Sequence, residues 1–161
     1  MSGASETSGT PNLDLNLTPG GAKNGGAWYE QGVKFSCQSG CTRCCGGAPG
    51  DVWVTDAEVR AIAELMQMPE QEFEKKYVRF YFMTGRKSLK ERTNGDCVML
   101  KESGCGIYAA RPKQCRDYPF WPEVMKNVFN WVTEAQRCPG INVGEHHAAP
   151  RIVELLKTQG K

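Results

Sequence analysis

No apolar run in this chain approaches the eighteen or so residues of a bilayer span, so a membrane-crossing helix is not expected. Neither charge sign is in real excess: 20 Lys and Arg stand against 18 Asp and Glu, a formal charge of +2. That balance gives no electrostatic reason to expect a nucleic-acid partner, and basic groupings such as Lys75-Lys76 with Arg79 read as solvated surface. Histidine is scarce: the two present, His146 and His147, sit in a Gly144-Glu-His-His-Ala context that reads as a solvent loop. A Ser-His-Asp order, a glycine-rich phosphate loop and an H-E-x-x-H pair are all missing, which removes the commonest hydrolase, nucleotide-binding and zinc-protease readings. Met1 to Glu6 show no basic stretch ahead of an apolar one, and no arginine precedes Arg43, so neither an export signal nor a mitochondrial leader is expected. A cytoplasmic, reducing location follows as the expectation; there thiols stay reduced or bind metal rather than pair.

What the chain does have is cysteine in a dense array. Four of its eight cysteines fall within Cys37-Gln-Ser-Gly-Cys41-Thr-Arg-Cys44-Cys45. Their offsets of 0, +4, +7 and +8 describe one face of a helix, with Ser36 as a cap and Gly46-Gly47 as a stop. Gly40 in the middle disfavours a helix by about 1 kcal/mol against alanine, so a knuckle followed by a single helical turn is the competing geometry. The intervening residues are too small and polar for a buried core element, which sets aside four inert thiols as the explanation. Thiolates are the donors chosen by zinc, copper(I) and iron–sulfur clusters. The vicinal pair Cys44-Cys45 is the awkward member, because neighbouring Cβ vectors diverge by about a hundred degrees in a helix or alternate in a strand. Two sulfurs serving different metal atoms, or one ligand beside one supporting thiol, satisfy it more readily than one tetrahedral ion.

A single folded domain over residues 27–161 is expected behind an N-terminal tail, residues 1–26, whose Gly, Ser, Thr, Asn and Pro content cannot offset the entropy of ordering. Trp28 to Phe35 form an extended approach to the cysteine array. Val52-Trp53-Val54 is a short strand, and Thr55-Asp-Ala-Glu58 is a capping box opening a helix whose apolar positions include Val59, Ile62, Ala63, Leu65 and Met66. Pro69 begins a second helix with Phe73, Tyr77, Phe80 and Tyr81 on one core-facing stripe. Asn94-Gly95 predicts a hairpin between Ser88–Thr93 and Asp96–Leu100 that places Cys97 at the start of a strand, and a second turn at Glu102-Ser103-Gly104 delivers Cys105. Pro112 opens a short helix reaching Cys115, Pro119 stops it, Cys138-Pro139-Gly140 forms a turn, and a helix from Pro150 to Lys157 closes the chain. The fold class is therefore a small, irregular α+β domain of short helices and β-hairpins around cysteine-ligated metal sites.

The combined pattern, Cys37/Cys41/Cys44/Cys45, then Cys97, Cys105 with Ile107-Tyr108, Arg111-Pro112, Cys115-Arg116, Tyr118-Pro119 and Cys138-Pro139-Gly140, resembles the YkgJ-like cysteine-cluster family, described as a zinc- or iron-chelating domain. The resemblance covers about residues 35 to 142 and implies metal chelation, including an iron–sulfur cluster as in the related module of flagellin lysine methylases. The expected ligands are Cys37, Cys41, Cys44, Cys45, Cys97, Cys105, Cys115 and Cys138, enough for two four-sulfur sites or one cluster and one structural ion. Arg111 and Arg116, spaced close to cysteines, are expected to donate to the sulfurs and offset their charge, with Arg43 a weaker candidate. The expected cofactor is an iron–sulfur cluster or zinc. Two functions stay open: a redox or cluster-assisted modification protein, or a structural-zinc adaptor that binds a protein partner. No residue pattern selects a reaction, so enzymatic activity is not assigned.

Overall fold

The computed structural model describes residues 26–47 and 50–158. The expected tail, apart from Gly26, lies outside the described residues. The remainder has the expected α+β character, with short helices and small antiparallel sheets arranged around two hydrophobic cores.

The first core forms where a three-stranded sheet meets two helices. Strands β2 (Val52–Val54), β3 (Val78–Tyr81) and β4 (Arg86–Leu89) pair antiparallel in the order β2-β4-β3. Helix α1 (Asp56–Leu65) starts where the sequence predicts: the Glu58 amide donates to Thr55 Oγ1 at 3.2 Å and the Thr55 amide donates to Glu58 Oε2 at 2.9 Å. Its apolar stripe then carries Val59 and Ile62 into complete burial against Phe73 of α2 (Glu70–Tyr77), with Leu89, Met99 and Ile107 closing the cluster. Fully removing side chains of this size from water stabilises the fold by about 1.5–3 kcal/mol each.

The second stripe departs from its prediction. Phe73 and Tyr77 lie on α2 with ring centroids 5.2 Å apart, but the helix ends at Tyr77 and Val78-Arg-Phe-Tyr81 continue as β3. The helical spacing of the four aromatics is coincidental: a β-branched residue followed by aromatics suits a pleated strand, and β4 supplies backbone partners along its whole length. Phe80 is consequently 46 % exposed instead of core. The turn to β4 runs through Gly85 at φ 66°, a left-handed conformation that glycine adopts without a Cβ penalty. The hairpin predicted at Asn94-Gly95 shrinks to one bridge, Glu91 with Cys97, because the preceding segment has already paired with β2 and β3. The next turn behaves as expected, joining β5 (Leu100–Lys101) to β6 (Gly104–Cys105).

The second core joins the C-terminal third of the chain to the segment around Val33. Short helix α3 (Lys113–Asp117) leads into α4 (Pro122–Met125) and α5 (Val128–Arg137), where Asn127 caps the start by accepting from the Asn130 amide at 2.9 Å. Trp131 of α5 is fully buried and its ring lies 6.1 Å from that of Phe120. Strand β7 (Ile141–His147) pairs antiparallel with β1 (Val33–Phe35), and α6 (Ala149–Lys157) covers the ribbon with Ile152. The two histidines are therefore in a strand, not a solvent loop: His147 is opposite Val33, its Nε2 is 2.9 Å from the Phe35 carbonyl oxygen, and its ring packs 4.8 Å from Phe120.

Candidate metal centre

The cysteine array leaves β1 directly. The Ser36 amide donates to the Gly140 carbonyl at 3.2 Å, so the Cys138-Pro-Gly turn anchors the approach to Cys37. A turn follows, closed by the Cys41 amide on the Gln38 carbonyl at 3.1 Å, with Gly40 at φ 72°. That left-handed glycine interrupts any helix through the array, and only Arg43–Cys45 coil, as one 3-10 turn. Of the two geometries the spacing allows, the structure has the knuckle with a single turn.

Three interactions fix this turn, and none is visible in the spacing of the cysteines. The Arg137 guanidinium, at the end of α5, donates to the Arg43 carbonyl at 3.2 and 3.3 Å and to the Gly46 carbonyl at 3.0 Å. The Cys97 amide donates to the Cys45 carbonyl at 2.8 Å, and the Gly47 amide donates to Asp96 Oδ1 at 3.2 Å. Cys97 is thus drawn to the array through the backbone. Cys105 arrives on β6, and Cys115 on α3, which Gln114 ties to β2 by accepting from the Trp53 amide at 2.8 Å and donating to the Asp51 carbonyl at 3.0 Å.

The result is a pocket of about 490 Å³ whose wall holds Cys37, Cys41, Cys44, Cys45, Cys97, Cys105 and Cys115. Apolar side chains of the first core, Val52, Leu89, Met99 and Ile107, back it on one side, and Tyr118 and Trp121 border it from the second. Cys138 is placed differently: it is 7 % exposed, belongs to the second core and is not part of the wall. The vicinal pair is not splayed apart. Cys44 and Cys45 sulfurs lie 3.9 Å from each other on the same pocket, close to the ~3.8 Å edge of a tetrahedron with 2.3 Å zinc–sulfur bonds. Among the described residues, however, no three Cys, His, Asp or Glu groups draw together into a ready-made ion shell.

The thiols differ in acidity because of one another. Cys45 is held as a thiol by donating to Cys105 and Cys44, and its pKa is raised. The acceptors move the other way: the Cys45 hydrogen bond lowers Cys44 to about 7 and Cys105 to about 6, with the Arg111 cation adding to both. Burial pushes Cys115 up to about 12, and raises Cys97 and Cys37 as well.

Arg111 borders the same pocket. Its guanidinium carbon sits 3.6 Å from the centroid of the Tyr108 ring, and its Nε is buried without a hydrogen-bond acceptor among the described residues. Arg116 is not in the wall; it donates to the Arg111 carbonyl and so supports that residue instead of the sulfurs directly. Arg43 contributes its carbonyl, and its exposed side chain is not in the wall. Neither histidine borders the pocket. The residues present fit zinc or iron: the donors are soft sulfurs, which calcium and magnesium avoid, and a buried N–H lacking an acceptor stands beside them. Arg137 is the contributor that spacing alone does not reveal, lying 92 residues after Cys45 on an unrelated helix.

No solved structure matches this chain. A curated relative, the "Uncharacterized protein MJ0661" of Methanocaldococcus jannaschii, is 30% identical over 122 residues, which is 73% of this chain and 63% of the relative, so the chain spans less than two thirds of that protein's length. A family model described as "Putative zinc- or iron-chelating domain" matches residues 36–139, from the residue before Cys37 to the residue after Cys138. With thiols from across that span meeting at one pocket, the chain belongs to the CxxCxxCC family of zinc- or iron-chelating domains.

Proposed function

We propose that the thiol pocket holds a polynuclear group, an iron–sulfur cluster, and that the protein serves a redox or cluster-assisted modification reaction. One observation carries this reading: seven thiols line a single pocket of about 490 Å³. A lone tetrahedral zinc uses four thiolates on edges of ~3.8 Å and would leave much of the wall unused. An iron–sulfur cluster spreads its cysteine ligands around a larger core and, when bound, supplies one-electron transfer. The chain's own part is to hold the sulfurs apart at fixed positions. The turn clamped by Arg137 sets Cys44 and Cys45, the backbone bond from Cys97 to Cys45 sets the second segment, and Gln114 sets Cys115. The apolar backing of Val52, Leu89 and Ile107 limits water on one side, a lever on cluster potential.

The test is metal and acid-labile sulfide analysis, with a visible spectrum, on protein purified without oxygen. Iron with matching sulfide and a broad brown absorbance supports the reading. Colourless protein with stoichiometric zinc and no sulfide overturns it in favour of a structural-zinc adaptor. The latter has one observation behind it: the β3–β4 turn exposes Phe82 at 89 % and Met83 at 97 %, an apolar tip available to a protein partner. A cytoplasmic location agrees with free thiols. Among the described residues no helix is long and apolar enough to cross a membrane.

A further inference from the structure

We infer that Arg111 sets the charge balance of the metal centre: its Nε–H donates to a sulfur of the bound iron–sulfur group, and its cation favours that group's reduced form. The inference rests on reading the pocket as an iron–sulfur site.

The argument begins with an unmet hydrogen bond. A buried N–H without an acceptor is costly, and native proteins seldom leave one. Among the described residues Arg111 Nε is such a group, on a side chain that borders the thiol pocket. Its neighbours cannot relieve it. Tyr108 offers the guanidinium a ring face at 3.6 Å, which attracts the cation but accepts no conventional hydrogen bond there, and Arg116 is itself a donor, directed to the Arg111 carbonyl. What the pocket offers in quantity is sulfur.

Of the other arginines around the site, Arg43 has an exposed side chain outside the wall, and the rest serve backbone carbonyls. Arg137 donates to the Arg43 and Gly46 carbonyls, Arg92 to the Val98 and Leu100 carbonyls, and Arg116 to the Arg111 carbonyl. Arg111 is thus a pocket-lining cation whose buried Nε–H lacks an acceptor among the described residues. It is also held in place: the ring stacks on one side, Arg116 anchors its carbonyl, and Pro112 fixes the next φ.

The direction of the effect follows from Coulomb's law. A thiolate-ligated cluster gains one negative charge on one-electron reduction, and a fixed cation nearby stabilises the reduced form more than the oxidised one. Removing the cation therefore moves the midpoint to more negative potential. Hydrogen bonds to cluster sulfurs act in the same direction.

The experiment is an anaerobic redox titration with dithionite, followed by visible absorbance, on the full chain and its Arg111→Gln, Arg111→Lys and Tyr108→Leu variants, each with iron and sulfide measured. Arg111→Gln is expected to lower the ratio of reduced to oxidised cluster at fixed potential about tenfold, which is ~59 mV for one electron. Arg111→Lys, which keeps a charge but loses Nε–H and the planar stack, is expected to shift less. Tyr108 lines the rim of the pocket and is 56 % exposed; its replacement removes no thiol and is expected to shift the midpoint in the same direction by releasing the guanidinium. Wild-type protein without iron and sulfide overturns the reading of the pocket. Iron-loaded variants with an unchanged midpoint overturn the role of Arg111 alone. If both Arg111 variants lose their iron, Tyr108→Leu decides: a negative shift upholds the inference and an unchanged midpoint rejects it.

Discussion

Cys105 and Cys115 line the same pocket with acidities on opposite sides of neutrality, about 6 and about 12. The first accepts a hydrogen bond from Cys45 and feels Arg111; the second is desolvated and surrounded by other thiols. In metal-free, reduced protein Cys105 and Cys44 are therefore the thiols that ionise first and Cys115 ionises last. Iodoacetamide labelling followed by mass spectrometry is expected to modify Cys105 and Cys44 first and Cys115 last. Equal labelling rates would show that the Cys45 hydrogen bonds do not persist in solution. The same asymmetry fixes the sign of the pH dependence of metal binding. Thiols with raised pKa values, Cys115 and Cys45 among them, must lose protons to bind, so affinity rises between pH 7 and 9, measurable by chelator competition. Two serine variants separate wall from core. Cys45→Ser is expected to lose metal and melting temperature together. Cys138→Ser keeps the metal of the pocket, yet loses about 1–3 kcal/mol because its hydroxyl enters an apolar core. Loss of all metal from Cys138→Ser would move that thiol into the ligand set.

The local elements divide by how much of their cause lies within a few residues. The capping box of α1 is entirely local, and Thr55→Ala is expected to cost about 1 kcal/mol in thermal melts with metal content unchanged. Arg137→Ala makes the contrasting case: it removes the clamp on the Arg43–Cys45 turn, leaves two carbonyls to solvent, and is expected to cost about 1–2 kcal/mol while weakening metal retention against a chelator several-fold. Full metal retention in that variant would show that the turn holds itself. The α2 to β3 transition illustrates where local reading fails. Phe73, Tyr77, Phe80 and Tyr81 fit one helical stripe, and only the partner strand β4 turns the last two into a sheet edge. Helix α5 has a local signature: Val128, Trp131, Val132 and Ala135 follow helical spacing behind the Asn127 cap. The two histidines had no local signal, since β7 needs β1, more than a hundred residues earlier in the chain, as its partner.

At the scale of the whole molecule, the thiol pocket is lined by residues of both cores, so a metal bound there would join them. Stripping the metal under reducing conditions is expected to lower the melting temperature substantially and to alter the near-ultraviolet signal of Trp121, which borders the pocket. A metal-free protein with unchanged melting would mean that the cores hold the pocket open by themselves. The amino-acid sequence by itself determined the chemistry of this protein: eight thiols, four of them in nine residues, select soft metals whatever the fold, and the capping box and turn residues place the short elements around them. Only the tertiary structure decided which thiols meet. It brings Cys97, Cys105 and Cys115 to the array, withdraws Cys138 into a core, and sets Arg111 at the pocket while Arg116 and Arg137 serve backbone carbonyls. The reason is physical: ligand type is a property of single side chains, whereas their convergence depends on how two separately packed cores come together, and chain spacing does not encode that.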